Sequence, residues 1–298
     1  MLQRYGRLLG FRIRQWSDGY EHELRDYSGV VAGAARSYID SDYRGVRKVV
    51  SGRSGGATEV GGAALSGSTR RIADLSDLPP LGTLVDGAFS GRMDSRALTE
   101  AVKGLERPVG PYVLRRVYFG RDTNDFGEEK LYLDADITDH DGTHVGSFSR
   151  SFRRDGTGDL VVTNEYMKLK ESYQRKGFAR ALSSSLHEYY RRSGVVRVEV
   201  KTELDGGVVW AKEGYQWNTR RDLLADSLQS IRARIDAVID SGTVSPDDGR
   251  LLEQYRHRLR VDSESIPSPA ELAALTGHDP HLGETIMKGS QWHGVLYL

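Results

Sequence analysis

From Lys130 to Lys170 the chain keeps a period of two, and that alternation limits its possible folds more than any other feature. "LYLDADIT" alternates, "DHDGT" is a turn, "HVGSFSRSF" alternates again, "RRDGTG" turns, and "DLVVTNEYMKLK" supplies a third strand. Strands joined by such short turns form an antiparallel meander. At "ESYQRKGFARAL", residues 171–182, a basic, glycine-bearing turn converts the pattern to a helix. Phe178, Ala181, Leu182, Leu186 and Tyr189 or Tyr190 then share one face, and Gly194 is placed to end it. "VVRVEV" predicts a buried strand, and "GGVVWAKEGYQW" a short helix closed by Gly214 before a return to strand.

The flanks read differently. Residues 1–50 predict a helical segment, and residues 51–94 a linker or loop, because "SGRSGGATEVGGAALSGS" lacks side chains that fill a core and "DLPPLG" continues the irregularity. A core over residues 95–220 opens with a helix from about Ser95 to Glu106 and the strand "YVLRRVYF". Residues 221–298 predict a helical extension ending in the strand "WHGVLYL". Its first helix carries a stripe of Leu224, Leu228, Ile231, Ile235 and Val238; in "SPAELAALTG", Ser268 is an N-cap, Pro269 the first helical residue, Glu271 the partner of a capping box and Gly277 the stop.

Composition sets outer limits. The 298 residues hold 42 basic and 42 acidic side chains, so global charge gives no reason to expect a nucleic-acid or anionic-membrane partner. The absence of cysteine removes disulfides, thiolate metal sites and a thiol nucleophile. His140 and His144 in "DHDGTH" fit turn chemistry better than a metal site, and no metal is expected. The apolar runs of "MLQRYGRLLGFRIRQW" are too short for a signal peptide and no later run suits a membrane span, so the expected location is cytoplasmic, with specialised export or packaging in a virion left open.

A strand that enters a glycine turn at a helix start leaves several backbone N–H groups outside the helical ladder, at the positive end of the helix dipole. Gly177 permits positive φ or close backbone approach, Ala179 leaves room for a phosphate, and Arg175, Lys176 and Arg180 add positive charge. The turn is therefore a candidate anion site.

The order of these features, from about Leu131 to Trp217, resembles the GCN5-related N-acetyltransferase (GNAT) family: a strand meander, "QRKGFA" in place of Q/R-x-x-G-x-G/A, an amphipathic helix, a strand, and "WAKEGY" ending in Gly-aromatic. The resemblance implies an α/β (α+β) fold with a mixed, mostly antiparallel sheet whose central strands splay, plus the helical additions at both ends. It implies acetyl-CoA or another acyl-CoA as cosubstrate. The pyrophosphate would lie on the amides of Arg175, Lys176, Gly177, Phe178, Ala179 and Arg180, and the pantetheine arm beside the backbone of Met167, Lys168 and Leu169.

Direct acyl transfer to an amine needs a proton acceptor and a donor for the leaving thiolate. Glu165, at strand spacing from Met167 and Leu169, is the first candidate base, with a solvated or salt-bridged glutamate as the plain alternative; Glu199 is a weaker candidate. Where the family often places a tyrosine acid, this chain has Trp210, whose indole is no general acid, so Tyr215 or Tyr190 would have to substitute. Only "GRDTNDFGEEK" separates "YVLRRVYF" from "LYLDADIT", too little for the family's two acceptor-site helices. With "YVLRRVYF" as the first strand, those helices are missing or supplied by residues 1–50 and the tail; the acceptor is expected to be an amine, on a protein or a small molecule.

Two other expectations compete. The N-terminal half faintly resembles arginine-type ADP-ribosyltransferases, through "LRDYSGVVAGAARSYID" and "VLRRVYFG", which would give Arg115 or Arg116 a role in NAD binding. Trp210 and the short front half also suit a non-enzymatic, GNAT-like scaffold or virion-associated protein.

Overall fold

A computed structural model describes residues 73–123, 129–174, 176–203 and 206–298. The helical segment expected over residues 1–50, and the linker as far as residue 72, lie outside the described residues. In chain order the elements begin with α1 (Leu81–Phe89), α2 (Ser95–Ala101), β1 (Pro108–Val109), β2 (Tyr112–Thr123), β3 (Glu129–Thr138), β4 (His144–Arg154) and β5 (Leu160–Leu169). They continue with α3 (Phe178–Arg192), β6 (Val195–Lys201), α4 (Gly206–Lys212), β7 (Gln216–Trp217), α5 (Arg221–Asp240), α6 (Pro246–Arg258), α7 (Pro269–Ala273), α8 (Leu282–Met287) and β8 (His293–Tyr297). No helix among the described residues is long and apolar enough to cross a membrane.

The strands form one sheet of order β1-β2-β3-β4-β5-β6-β8-β7, antiparallel at every contact except β5 with β6. This is the mixed, mostly antiparallel sheet that the family resemblance implied. Its meander turns are closed by their own aspartates: Asp139 Oδ1 accepts from the amides of Asp141 and Thr143, and Asp155 Oδ1 from those of Thr157 and Asp159. His140 is exposed within the first of these turns.

Alternation in β4 gives the sheet two unlike faces. Phe148 and Phe152 point to one, and α3 covers it with the apolar stripe read from the sequence, burying Phe178, Ala181, Leu182, Leu186, Tyr189 and Tyr190. Phe152 meets Tyr190 edge-on at 6.0 Å and Phe119 at 5.5 Å, and each such buried ring stabilises the fold by about 2 kcal/mol. The other face carries Ser147, Ser149 and Ser151.

Two boundaries differ from expectation. The loop expected through residue 94 gives way to α1, because Leu81, Leu84, Val85 and Ala88 recur at helical spacing after Pro80 and bury themselves in the core. Arg154 fixes this helix to the sheet by pairing both ways with Asp86, at 2.7 and 2.8 Å. At the other end, β8 is no appendage to a core ending at residue 220. It lies between β6 and β7, covering the edge of β6 that a two-residue β7 cannot cover.

The tail packs as its patterns indicate. Leu228, Ile231, Ile235 and Val238 of α5 are buried with Leu224 against their margin, and the Ser268–Glu271 capping box is complete. The helix it caps ends at Ala273, short of Gly277. Buried Asp248 on α6 accepts from the amides of His278 and Asp279 at 2.7 and 3.0 Å, fastening α6 to the loop before α8.

Gly146 lets β4 and β5 approach. A side chain there would collide with the backbone carbonyl of Lys168 and with Leu169 across the ladder. Gly146→Ala is expected to cost about 2–3 kcal/mol, seen as a lower urea midpoint at unchanged slope.

Candidate functional site

The sheet forks at Asn164. Five residues of β5, Leu160 to Asn164, pair with β6 as far as Val200, and there the pairing ends, although β5 continues against β4 to Leu169. The far part of β5 thus parts from β6 along one edge while the other edge stays in the sheet. β6 itself ends at Lys201, one residue past the last pair, so this edge of β5 runs on without a strand beside it.

A bulge stands at the vertex. Ser149 opposes Tyr166 and Arg150 opposes Asn164, so Glu165 is an extra residue with no partner position on β4. It resets the alternation. Leu160, Val162 and Asn164 share the face of Phe152 before the bulge, and Met167 and Leu169 return to the face of Phe148 after it. Glu165 turns to the serine face, where Ser151 Oγ donates to its Oε1 and Lys130 Nζ stands 4.0 Å away. The expectation that Glu165 shares a face with Met167 and Leu169 is therefore corrected, because simple alternation does not survive an inserted residue. Glu199 is engaged by Arg153 and Arg197, at 2.7 and 3.0 Å.

Of the three β5 residues expected to meet a pantetheine arm, Lys168 directs its carbonyl at Gly146 on the β4 side. Met167 and Leu169, one position to either side, turn their main chain toward the fork. The Leu169 carbonyl accepts from Nε2 of buried Gln174 at 2.8 Å, which ties the end of β5 to the turn. Burial lowers the pKa of the Lys168 ammonium.

The turn takes the conformation its glycine foretold. Gly177 has φ 78° and ψ 9°, in the left-handed region, and stands as the N-cap of α3 without any side-chain cap. The first intrahelical bond runs from Ala181 N to Gly177 O, leaving the amides of Phe178, Ala179 and Arg180 ahead of the ladder. A Cβ on Gly177 would meet no atom of the described residues within 4 Å. Phe178 anchors the turn in the core against Tyr112 at 5.4 Å; Lys176 lies over the Tyr173 ring at 5.3 Å; Arg180 is exposed and Ala179 half-buried. Arg175 lies outside the described residues.

Beneath the fork, on the phenylalanine face, lies a polar cluster. Asn164 Nδ2 donates to Tyr215 Oη at 3.0 Å, and Trp210 packs edge-on against that tyrosine at 5.0 Å. Tyr215 is fully enclosed, and burial pushes its phenol pKa up; burial also pushes Tyr190 up to about 12. Arg150 is 2% exposed, and its Nη1 donates to the carbonyls of Ser149 and Tyr166 at 2.8 and 2.9 Å. Sequence patterning passed over Arg150, Asn164 and Gln174. For Arg150 a signal existed: in "FSRSF" it is the one charged residue on a face otherwise given to phenylalanine. Arg115 and Arg116 sit at a register irregularity of β2, across β3 and β4 from the fork, and Arg116 pairs with Asp136.

No family model matches the chain, and no curated protein does. Among solved structures it is similar to an acetyltransferase of Trypanosoma brucei, at 19% identity over 50% of this chain and 93% of that one, with a TM-score of 0.28. It is also similar to the GNAT domain of S. lividans PAT, at 17% identity, 30% and 55% coverage and a TM-score of 0.23. A third likeness is to an acetyltransferase from Thermus thermophilus, at 10% identity, 49% and 85% coverage and a TM-score of 0.23.

His187 on α3 borders the polar cluster, and burial, then the charges of Arg191 and Arg150, hold its pKa down to about 4. Between pH 6.5 and 4 the unfolded chain therefore binds a proton that the folded chain refuses, so stability falls as pH falls through that window, by at most about 3 kcal/mol. His187→Phe is expected to flatten this part of the curve in thermal melts taken from pH 7 to pH 4.5.

Proposed function

We propose that this chain is an acyl-CoA-dependent N-acyltransferase, acetyl-CoA being the first donor to test, that passes the acyl group directly to an amine on a protein or small molecule. The observation that carries the proposal is the fork: β5 leaves β6 at Asn164 and runs, still held by β4, toward the Gly177 turn. An extended ligand bearing amides fits beside such a strand edge, and a pyrophosphate fits an uncapped helix start. The main chain of Met167 and Leu169 would take the arm, and the amides of Phe178, Ala179 and Arg180, with Lys176 and Arg175 beside them, would take the pyrophosphate.

The chemistry then falls at the bulge. The amine nitrogen attacks the thioester carbonyl, the C–S bond breaks, and one proton must leave the nitrogen while the thiolate gains one. Glu165, held at the bulge by Ser151, is the proposed proton acceptor on the serine face. Tyr215 is the proposed donor on the opposite side of the sheet, where Asn164 donates to its oxygen at the vertex; burial raises its pKa and so makes it a weak acid. A thiol of pKa about 8.5 is a tolerable leaving group, so the donor contributes less than the acceptor.

A thermal-shift comparison of acetyl-CoA with NAD tests the reading. Acetyl-CoA at a hundred times its dissociation constant should add about 2.7 kcal/mol of stability. Gly177→Glu, whose strained φ costs about 1–2 kcal/mol but whose Cβ meets no atom of the described residues within 4 Å, should fold and lose the shift. A shift with NAD alone would overturn the proposal, and none with either ligand would favour the scaffold. Glu165→Gln should slow turnover by about 10²-fold or more, and radiolabelled acetyl-CoA in a cell lysate would reveal whether the acceptor is a protein.

A further inference from the structure

Arg150 occupies a place where a cation is costly. It lies between Phe148 and Phe152 on the face covered by α3, it is 2% exposed, and no described carboxylate forms an ion pair with it. Removing a guanidinium from water costs several kcal/mol unless well-placed groups compensate, and an aliphatic side chain would fill the same space at lower cost. The compensation here is local: the guanidinium lies over the Phe148 ring at 5.3 Å, and one nitrogen, Nη1, draws together the carbonyls of Ser149 and Tyr166. Those two residues face each other across the ladder immediately beside the extra residue, Glu165.

We propose that Arg150 is a positioning residue: by holding the Ser149 and Tyr166 carbonyls on one nitrogen it fixes the bulge, and with it the peptide that meets the acyl end of the donor in the fork. The step follows from peptide geometry. The Tyr166–Met167 bond is trans, so a Tyr166 carbonyl drawn toward Arg150 sends the Met167 N–H the other way, away from β4. Left to the ladder alone, a bulge is the point where strand pairing is most easily redrawn, with Glu165 carried along. A guanidinium suits the task because it stays charged when buried and accepts no competing hydrogen bond. This inference rests on the transferase reading for its effect on turnover, but its effect on the bulge is independent of any ligand.

The experiment therefore has two arms, using Arg150→Met and Arg150→Lys in the full chain. In the free protein, hydrogen exchange at amides 165–169 should quicken about tenfold in Arg150→Met, with amides 160–163 unchanged, because opening is confined to the forked part of β5. In turnover with acetyl-CoA, Arg150→Met should lower kcat about 100-fold with KM for acetyl-CoA within about threefold, since a misplaced reacting group costs rate while the Gly177 turn still holds the donor. Arg150→Lys, which keeps a cation able to donate to the carbonyls from a shorter side chain, should recover about tenfold of that loss. Unchanged exchange at 165–169, or a kcat within about threefold of wild type, would overturn the inference. Should Arg150→Met fail to fold, Arg150→Lys carries both measurements, with intermediate effects expected and wild-type values overturning. If the wild-type protein neither binds nor turns over acetyl-CoA, the transferase reading fails, and the exchange arm alone decides whether Arg150 fixes the bulge.

Discussion

Everything at the candidate site depends on one break in symmetry: β5 keeps its hydrogen-bonded neighbour on one edge to Leu169 and loses it on the other after Asn164. A strand released on both sides would fray, and one paired on both sides would have no room for a ligand. The ladder to β4 supplies rigidity, Gly146 permits its close approach, and the parting of β6 supplies access. The bulge at Glu165 adds a change of facing at the vertex, with Asn164 on the phenylalanine face and Glu165 on the serine face.

The sequence disclosed the parts of this arrangement that follow periodic rules. The three meander strands, the apolar stripe of α3, the positive φ of Gly177 and the Ser268 capping box all depend on neighbours a few residues away. The features it concealed depend on comparison between strands. A bulge is a count of two residues against one, and only the partner strand reveals it; thus "NEYM" looks like plain alternation although Glu165 breaks it. For the same reason the β8 strand could be recognised as a strand, yet not as the neighbour of β6. Arg150 was visible as an oddity between two phenylalanines, but its two carbonyl partners belong to a register that the residue pattern alone does not give.

The two ends of the described chain contribute more than covering. α1 stands against the sheet through Arg154 and Asp86, on the side where residues 51–94 looked too small and irregular to pack. The tail fills the space under β6, β7 and β8, where Trp292 is fully buried, meets Trp217 edge-on at 5.4 Å and donates its indole N–H to Gly207 at the start of α4. The element that follows β6 beyond the fork is thereby fixed by residues near the end of the sequence.

That placement of β8 has a consequence for how the protein is made. Arg197 in β6 pairs with Tyr297, a hundred residues later, so the strand that forms one wall of the fork has its outer edge closed only when β8 has been synthesised. On the ribosome the meander and α3 can assemble early from contacts close in sequence, whereas β6 must wait through α5, α6, α7 and α8 with an open edge. The outer edge of β6, on the side away from the fork, is thus closed late, and until then it is open to mispairing with another chain.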